Sequence, residues 1–221
     1  MCGRGASSTL FFHKGNKIKP IYELNALGIA IPKTMRDALG DKTSISLESA
    51  LSGSNPHYNP EFAAYSMNCQ RAVVAYELRR RGYDVTALHT YQGDTLPRAV
   101  TIKGEAVLTS RWMGAFHGAK TDVVGARTRK KVEENLVNKM KSYGEGSRAI
   151  VRVRWNGDEG GHVFNAEYKN GKILYRDAQT GKSVNIQHYL NAARPQSVGL
   201  VRTDNLRLSY RVRNFVTQTR R

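Results

Sequence analysis

At 221 residues the chain has the size of one ordinary domain, with or without arms. Hydrophobic residues make up 40% and charged residues 24%, which excludes a disordered or collagen-like chain and allows a sizeable core. Against 18 Asp+Glu stand 35 Lys+Arg, and the net charge of +17 draws acidic proteins, nucleic acid or anionic membrane without choosing among them.

Residues 1–60 read as an irregular arm or linker, with Gly, Pro, Ser and Asn recurring; the one helical candidate is Lys33 to Leu39, closed by Gly40. Cys2 lies in a polar, Gly-rich start expected to fray. Leu10-Phe11-Phe12 is too short for the core of a signal peptide, and no stretch approaches the ~18 apolar residues of a membrane span. The expectation is a protein that acts in the cytosol or is carried by another polypeptide or particle. Two cysteines are too few for a disulfide framework.

From residue 61 the pattern is that of one folded unit reaching Arg221. Cys69 to Arg81 carries Ala72, Val73, Tyr76 and Leu78 at helical spacing, with Asn68 as N-cap and Gly82 as stop. Val85 to Leu88 reads as a strand, and residues 89–125 show no clear period. Thr128 to Tyr143 predicts a helix on the stripe Val132, Leu136, Met140. Ala149 to Trp155 alternates like a half-buried strand, and His162 to Tyr168 and Lys172 to Asp177 flank the hairpin signal Asn170-Gly171. A short helix near Ile186 to Ala193 and strands near Val198 to Thr203 and Leu206 to Val212 complete an α+β chain.

Chemistry concentrates at Cys69. A helix N-terminus lowers a thiol pKa, and its unpaired N–H groups suit a developing oxyanion. The plain alternative is a buried cysteine serving as a small apolar residue. A two-residue turn at Asn170-Gly171 pairs Lys169 with Lys172, sets Phe164 opposite Asp177 and His162 opposite Gln179, and brings His162 and Asp177 into diagonal reach. A carboxylate there would fix the imidazole tautomer; the plain alternative is a surface His–Asp pair. His13, His57, His89, His117 and His188 are scattered without metal-ligand spacing.

Asn68-Cys69-Gln70, the run Tyr76 to Val85, Gly161-His162-Val163-Phe164-Asn165 and Asp177-Ala178-Gln179-Thr180-Gly181 together resemble the papain-fold toxin family of glutamine deamidases, over roughly residues 65–205. That family occurs in polymorphic toxins and phage head-morphogenesis proteins. The resemblance implies a papain-like fold, its cysteine-bearing helix packed on an antiparallel sheet, and a cofactor-free triad of Cys69 as nucleophile, His162 as acid and base, and Asp177 as orienting carboxylate. Asn68 and Gln179 match motif positions as candidate oxyanion or substrate contacts, Asn68 otherwise simply capping its helix. The implied reaction is deamidation of a protein glutamine; proteolysis and acyl transfer share its thioester step. The charge also fits an acidic immunity or carrier protein. A different class is a nucleic-acid-binding or virion module using Arg79 to Arg81, Arg127 to Lys131 and the tail Arg211, Arg213, Arg220 and Arg221.

Overall fold

The computed structural model describes residues 32–90, 100–102, 105–107, 111–157 and 160–219. Expectations that fall on Cys2, on the apolar run at Leu10, on His13 and on Arg220 and Arg221 lie outside them.

The organising element is helix α4 (Cys69–Arg80). Before it come α1 (Met35–Leu39), α2 (Leu47–Ser52) and α3 (Ala63–Ser66). Helix α1 forms where the candidate Lys33 to Leu39 was expected, ending at Gly40, and α2 is a second helix in the segment otherwise read as irregular. Thr34 and Asp37 form a capping box on α1, and Ser46 caps α2 by accepting from the Ser49 amide. Ala38, Leu39, Ala50 and Leu51 share a core cluster with α4, so the polar composition around these helices concealed a few well-placed apolar residues.

After α4 run β1 (Val85–Ala87), β2 (Val100–Ile102), β3 (Glu105–Val107), the 3-10 turn Arg111–Ala115 and β4 (Asp122–Val123). Next come α5 (Arg129–Tyr143), β5 (Arg148–Arg154), β6 (Gly161–Lys169), β7 (Lys172–Asp177), β8 (Lys182–Ser183) and α6 (Ile186–Ala192). The chain ends with β9 (Gly199–Arg202), the 3-10 turn Tyr210–Asn214 and β10 (Val216–Gln218). The strand expected over Leu206 to Val212 does not form. Ser209 accepts from the Arg211 amide and starts a tight turn that sends Val212 into the core, and the pairing strand comes later, as β10 on β1.

Six strands form one antiparallel sheet in the order β4-β9-β5-β6-β7-β8. The β6–β7 hairpin has the expected register, Lys169 opposite Lys172, because Asn170 (φ 53°) and Gly171 (φ 73°) both take the left-handed conformation of a type I′ turn. Both faces of the sheet are covered. Ile150, Val163 and Val201 pack with α4, whereas Val151, Val153, Phe164, Ala166 and Leu200 pack with α5 and α6. The α5 stripe of Val132, Leu136 and Met140 is fully buried, as its period predicts. The architecture is α+β, with the cysteine-bearing helix against an antiparallel sheet.

Helix α4 is buried on all sides, its polar residues included, and ion pairs carry their charge. Glu77 pairs with Arg81 at 2.8 Å and with Arg148 of β5 at 2.9 Å; Arg80 pairs with Glu167 of β6 at 2.7 Å, and Arg79 with Asp84 at 2.7 Å. The run Arg79 to Arg81, read from sequence as a basic cluster for nucleic acid, is thus spent inside the molecule. Replacing Glu77 by Ala strands two part-buried guanidinium groups and is expected to cost about 3–5 kcal/mol in chemical denaturation, with Glu77→Gln recovering part of it. An unchanged midpoint for Glu77→Ala would contradict this account.

Candidate active site

Three contacts set how α4 lies along β6. The Asn165 Nδ2 donates to the Val73 carbonyl at 3.2 Å, the Tyr76 hydroxyl donates to Glu167 at 3.4 Å, and Arg80 also reaches Glu167. Helix and strand therefore run in the same direction, and one helical turn back from Val73 brings Cys69 level with Val163, about 6 Å along each element. Cys69 opens α4 as expected. It is 2% exposed and held in a disulfide whose partner lies outside the described residues. Two cysteines are too few for a framework yet enough for one bridge.

On the strand, His162 precedes Val163 and so takes the other face. Its Nε2 lies 3.2 Å from Asp177 Oδ2, which leaves Nδ1 facing away from the carboxylate. The imidazole stacks on Trp155 (centroids 5.9 Å, interplanar 16°) and contacts the rings of Phe164 and Tyr189. Trp155 is a wall of the histidine's pocket.

Asp177 accepts three hydrogen bonds. Besides His162, the Tyr189 hydroxyl donates to Oδ2 at 2.8 Å and the Gln179 amide to Oδ1 at 3.0 Å. Burial pushes the carboxyl upward, but the His162 charge and the donors from His162, Tyr189 and Gln179 outweigh it, and the pKa falls below the ordinary value. Burial and the same carboxylate push Tyr189 well up and Tyr58 up to about 12, so both phenols stay protonated.

Residues 177–179 carry the chain from the histidine's face to the face of α4. Asp177 bonds His162, Ala178 sits in the α4 core cluster, and Gln179 Nε2 donates to Asn68 Oδ1 at 3.4 Å. Asn68 makes no side-chain cap on α4. Its Nδ2 donates to Asn55 Oδ1 at 2.9 Å and to the Leu88 carbonyl at 3.2 Å, while Asn55 Nδ2 donates to the Gln179 carbonyl at 2.8 Å and to Asn68 Oδ1 at 3.2 Å. The expected capping role gives way because a buried amide is best satisfied by partners on three separate segments.

The structure thus joins His162 to Asp177, and Asn68 to Gln179, and ties both pairs together through Gln179. Cys69 and His162 occupy opposite faces of the sheet at one end of it. Asn55, Tyr58 and Tyr189 were missed from sequence. Asn55 lay in the segment read as an arm, and Tyr189 fell in a short helix where only its position opposite Asp177 reveals it.

Asp177 ionises more readily in the folded chain, so its stabilising contribution is complete above the ordinary carboxylate pKa of about 3.9 and is lost as the pH falls through the lower folded value. Tyr189→Phe removes one donor. It should raise the Asp177 titration followed by carbon NMR and reduce stability at neutral pH by about 1.5–3 kcal/mol. An Asp177 titration unmoved by the substitution would show that the phenol does not hold the carboxylate.

No curated protein and no solved structure matches the chain. A family model described as papain fold toxin 1, glutamine deamidase, matches residues 67–182, which cover more than half of the chain and hold the helix head, the His–Asp hairpin and the Gln179 crossing. The chain belongs to this family of papain-fold toxins.

Proposed function

We propose that the protein is a toxin-type cysteine hydrolase that converts a glutamine side chain of a target protein to glutamate. The observation that carries this reading is the Nε2-anchored His162–Asp177 pair, connected through Gln179 to Asn68, the residue that precedes Cys69.

In the reaction the Cys69 thiolate, formed as Nδ1 of His162 takes its proton, attacks the carboxamide carbon. The C–S bond forms and the carbonyl electrons move to oxygen, where the backbone N–H groups at the head of α4 stabilise them. Asn68 and Gln179 position the helix head and the Asp177 turn, since their amides already serve Asn55, Leu88 and each other. The C–N bond then breaks, and ammonia leaves with the proton from His162. Water, deprotonated by the same imidazole, attacks the thioester, and the net change is glutamine plus water to glutamate plus ammonia. Asp177 stays ionised throughout and steadies the imidazolium.

Two conditions precede attack. The disulfide at Cys69 must be reduced, and the released sulfur must reach Nδ1 across the end of the sheet, where residues 177–179 already join the two faces. The second reading, a nucleic-acid module without catalysis, loses support because Arg79, Arg80 and Arg81 are ion-paired internally.

Target proteins incubated with the chain should show the mass gain of amide-to-acid conversion at defined glutamines, only after a thiol reductant is added. Cys69→Ala should lower the rate by about 10⁶-fold while leaving the circular dichroism spectrum intact. New chain termini would indicate proteolysis instead, and full activity in Cys69→Ala would sink the assignment.

A further inference from the structure

Arg152 and Arg154 stand two residues apart on β5, on the sheet face that carries α4. The alternation that places them there is fixed by Arg148 and Ile150 of the same strand, the first ion-paired with Glu77 and the second packed in the α4 cluster. Arg152 pairs across the sheet with Val163 and with Gly199, and Arg154 with Gly161. Since Cys69 is level with Val163, Arg152 lies level with the helix head, and Arg154, one pair further toward Gly161, is exposed.

Neither guanidinium has an acidic partner among the described residues, in contrast to Arg79, Arg80, Arg81, Arg148 and Arg202, each of which has one. Arg152 is half-buried and its Nε is a buried donor with no acceptor. That Nε is sealed against Gly199 and holds the side chain in place, which leaves the terminal nitrogens of the guanidinium fork as the donors that a carboxylate can meet. Burial and the Arg154 charge both push the Arg152 pKa down. Gly199 leaves the room this arginine uses: a Cβ at that position would stand 2.7 Å from Arg152 Nε.

We propose that Arg152 and Arg154 form the recognition site for acidic side chains flanking the target glutamine, so that the enzyme selects an acidic polypeptide segment. The inference rests on the deamidase reading above and adds the substrate's chemistry to it. A protein carboxylate suits the recessed Arg152 fork better than a nucleic-acid backbone, which presents its phosphates along an open, continuous track.

The test uses the full chain and two glutamine peptides that differ only in Glu or Ser beside the glutamine. Fluorescence anisotropy is read on Cys69→Ala protein, so that binding is measured independently of catalysis, and kcat/KM is read on the reduced wild type. The Glu peptide should bind about tenfold or more tightly than the Ser peptide. Arg154→Glu, an exposed change that the fold tolerates, should abolish the preference, and Arg152→Glu with Arg154→Glu should transfer it to a Lys-flanked peptide. Arg152→Lys should keep part of the affinity. Equal binding of both peptides, or an acidic preference surviving the double reversal, overturns the proposal. So does single-stranded DNA that displaces the Glu peptide at lower concentration. Deamidation of neither peptide, together with intact Arg-dependent binding, would leave the recognition site standing and remove the deamidase reading instead.

Discussion

The carboxylate of Asp177 is buried, charged and surrounded by donors, and the site is built around satisfying it. A lone ionised carboxyl in such a place would be strongly disfavoured and would take up a proton. Here three donors from three segments hold it: an imidazole on β6, a phenol on α6 and the amide of its own turn. Each donor is thereby placed, and the histidine above all, since an Nε2 committed to the carboxylate turns Nδ1 outward.

The turn after Asp177 does a second job. Strand alternation separates the faces of a sheet absolutely, and His162 and Val163 illustrate it, one against Trp155 and Tyr189, the other against the cysteine helix. Chemistry that needs a thiol from one side and an imidazole from the other has to occur where the sheet ends. Residues 177–179 wrap around that end, and the amides of Gln179, Asn68 and Asn55 close the connection. The ion pairs of Glu77 with Arg81 and Arg148, and of Glu167 with Arg80, fix the helix against β5 and β6.

The surplus of positive charge divides into two populations. Arg79, Arg80, Arg81 and Arg148, on or beside α4, are neutralised internally and serve the packing of a helix that no face exposes to water. Others, such as Arg129, Lys130 and Lys131 at the start of α5, remain in solvent. Arg152 belongs to neither group, being half-buried on the sheet without an acidic partner among the described residues, and the exposed Arg154 stands two residues from it on the same face. A net charge computed from composition cannot separate these cases, because it counts a guanidinium equally whether it is paired, solvated or waiting.

Periodicity and turn chemistry were sufficient to determine the helix beginning at Cys69, the stripe of α5, and the hairpin register that put His162 within reach of Asp177. These are local matters, decided by backbone conformation over a few residues, and Asn170-Gly171 with its two positive φ angles admits one register. The motif residues also announced the family. Tertiary structure alone decided the rest. It recruited Asn55 and Tyr58 from a stretch of polar composition, turned Asn68 from a cap into a bridge, spent Arg79 to Arg81 in the interior, set Tyr189 on the carboxylate and engaged Cys69 in a disulfide. Each of these depends on what a side chain meets across tens of residues of chain, and no pattern within a local window encodes that meeting.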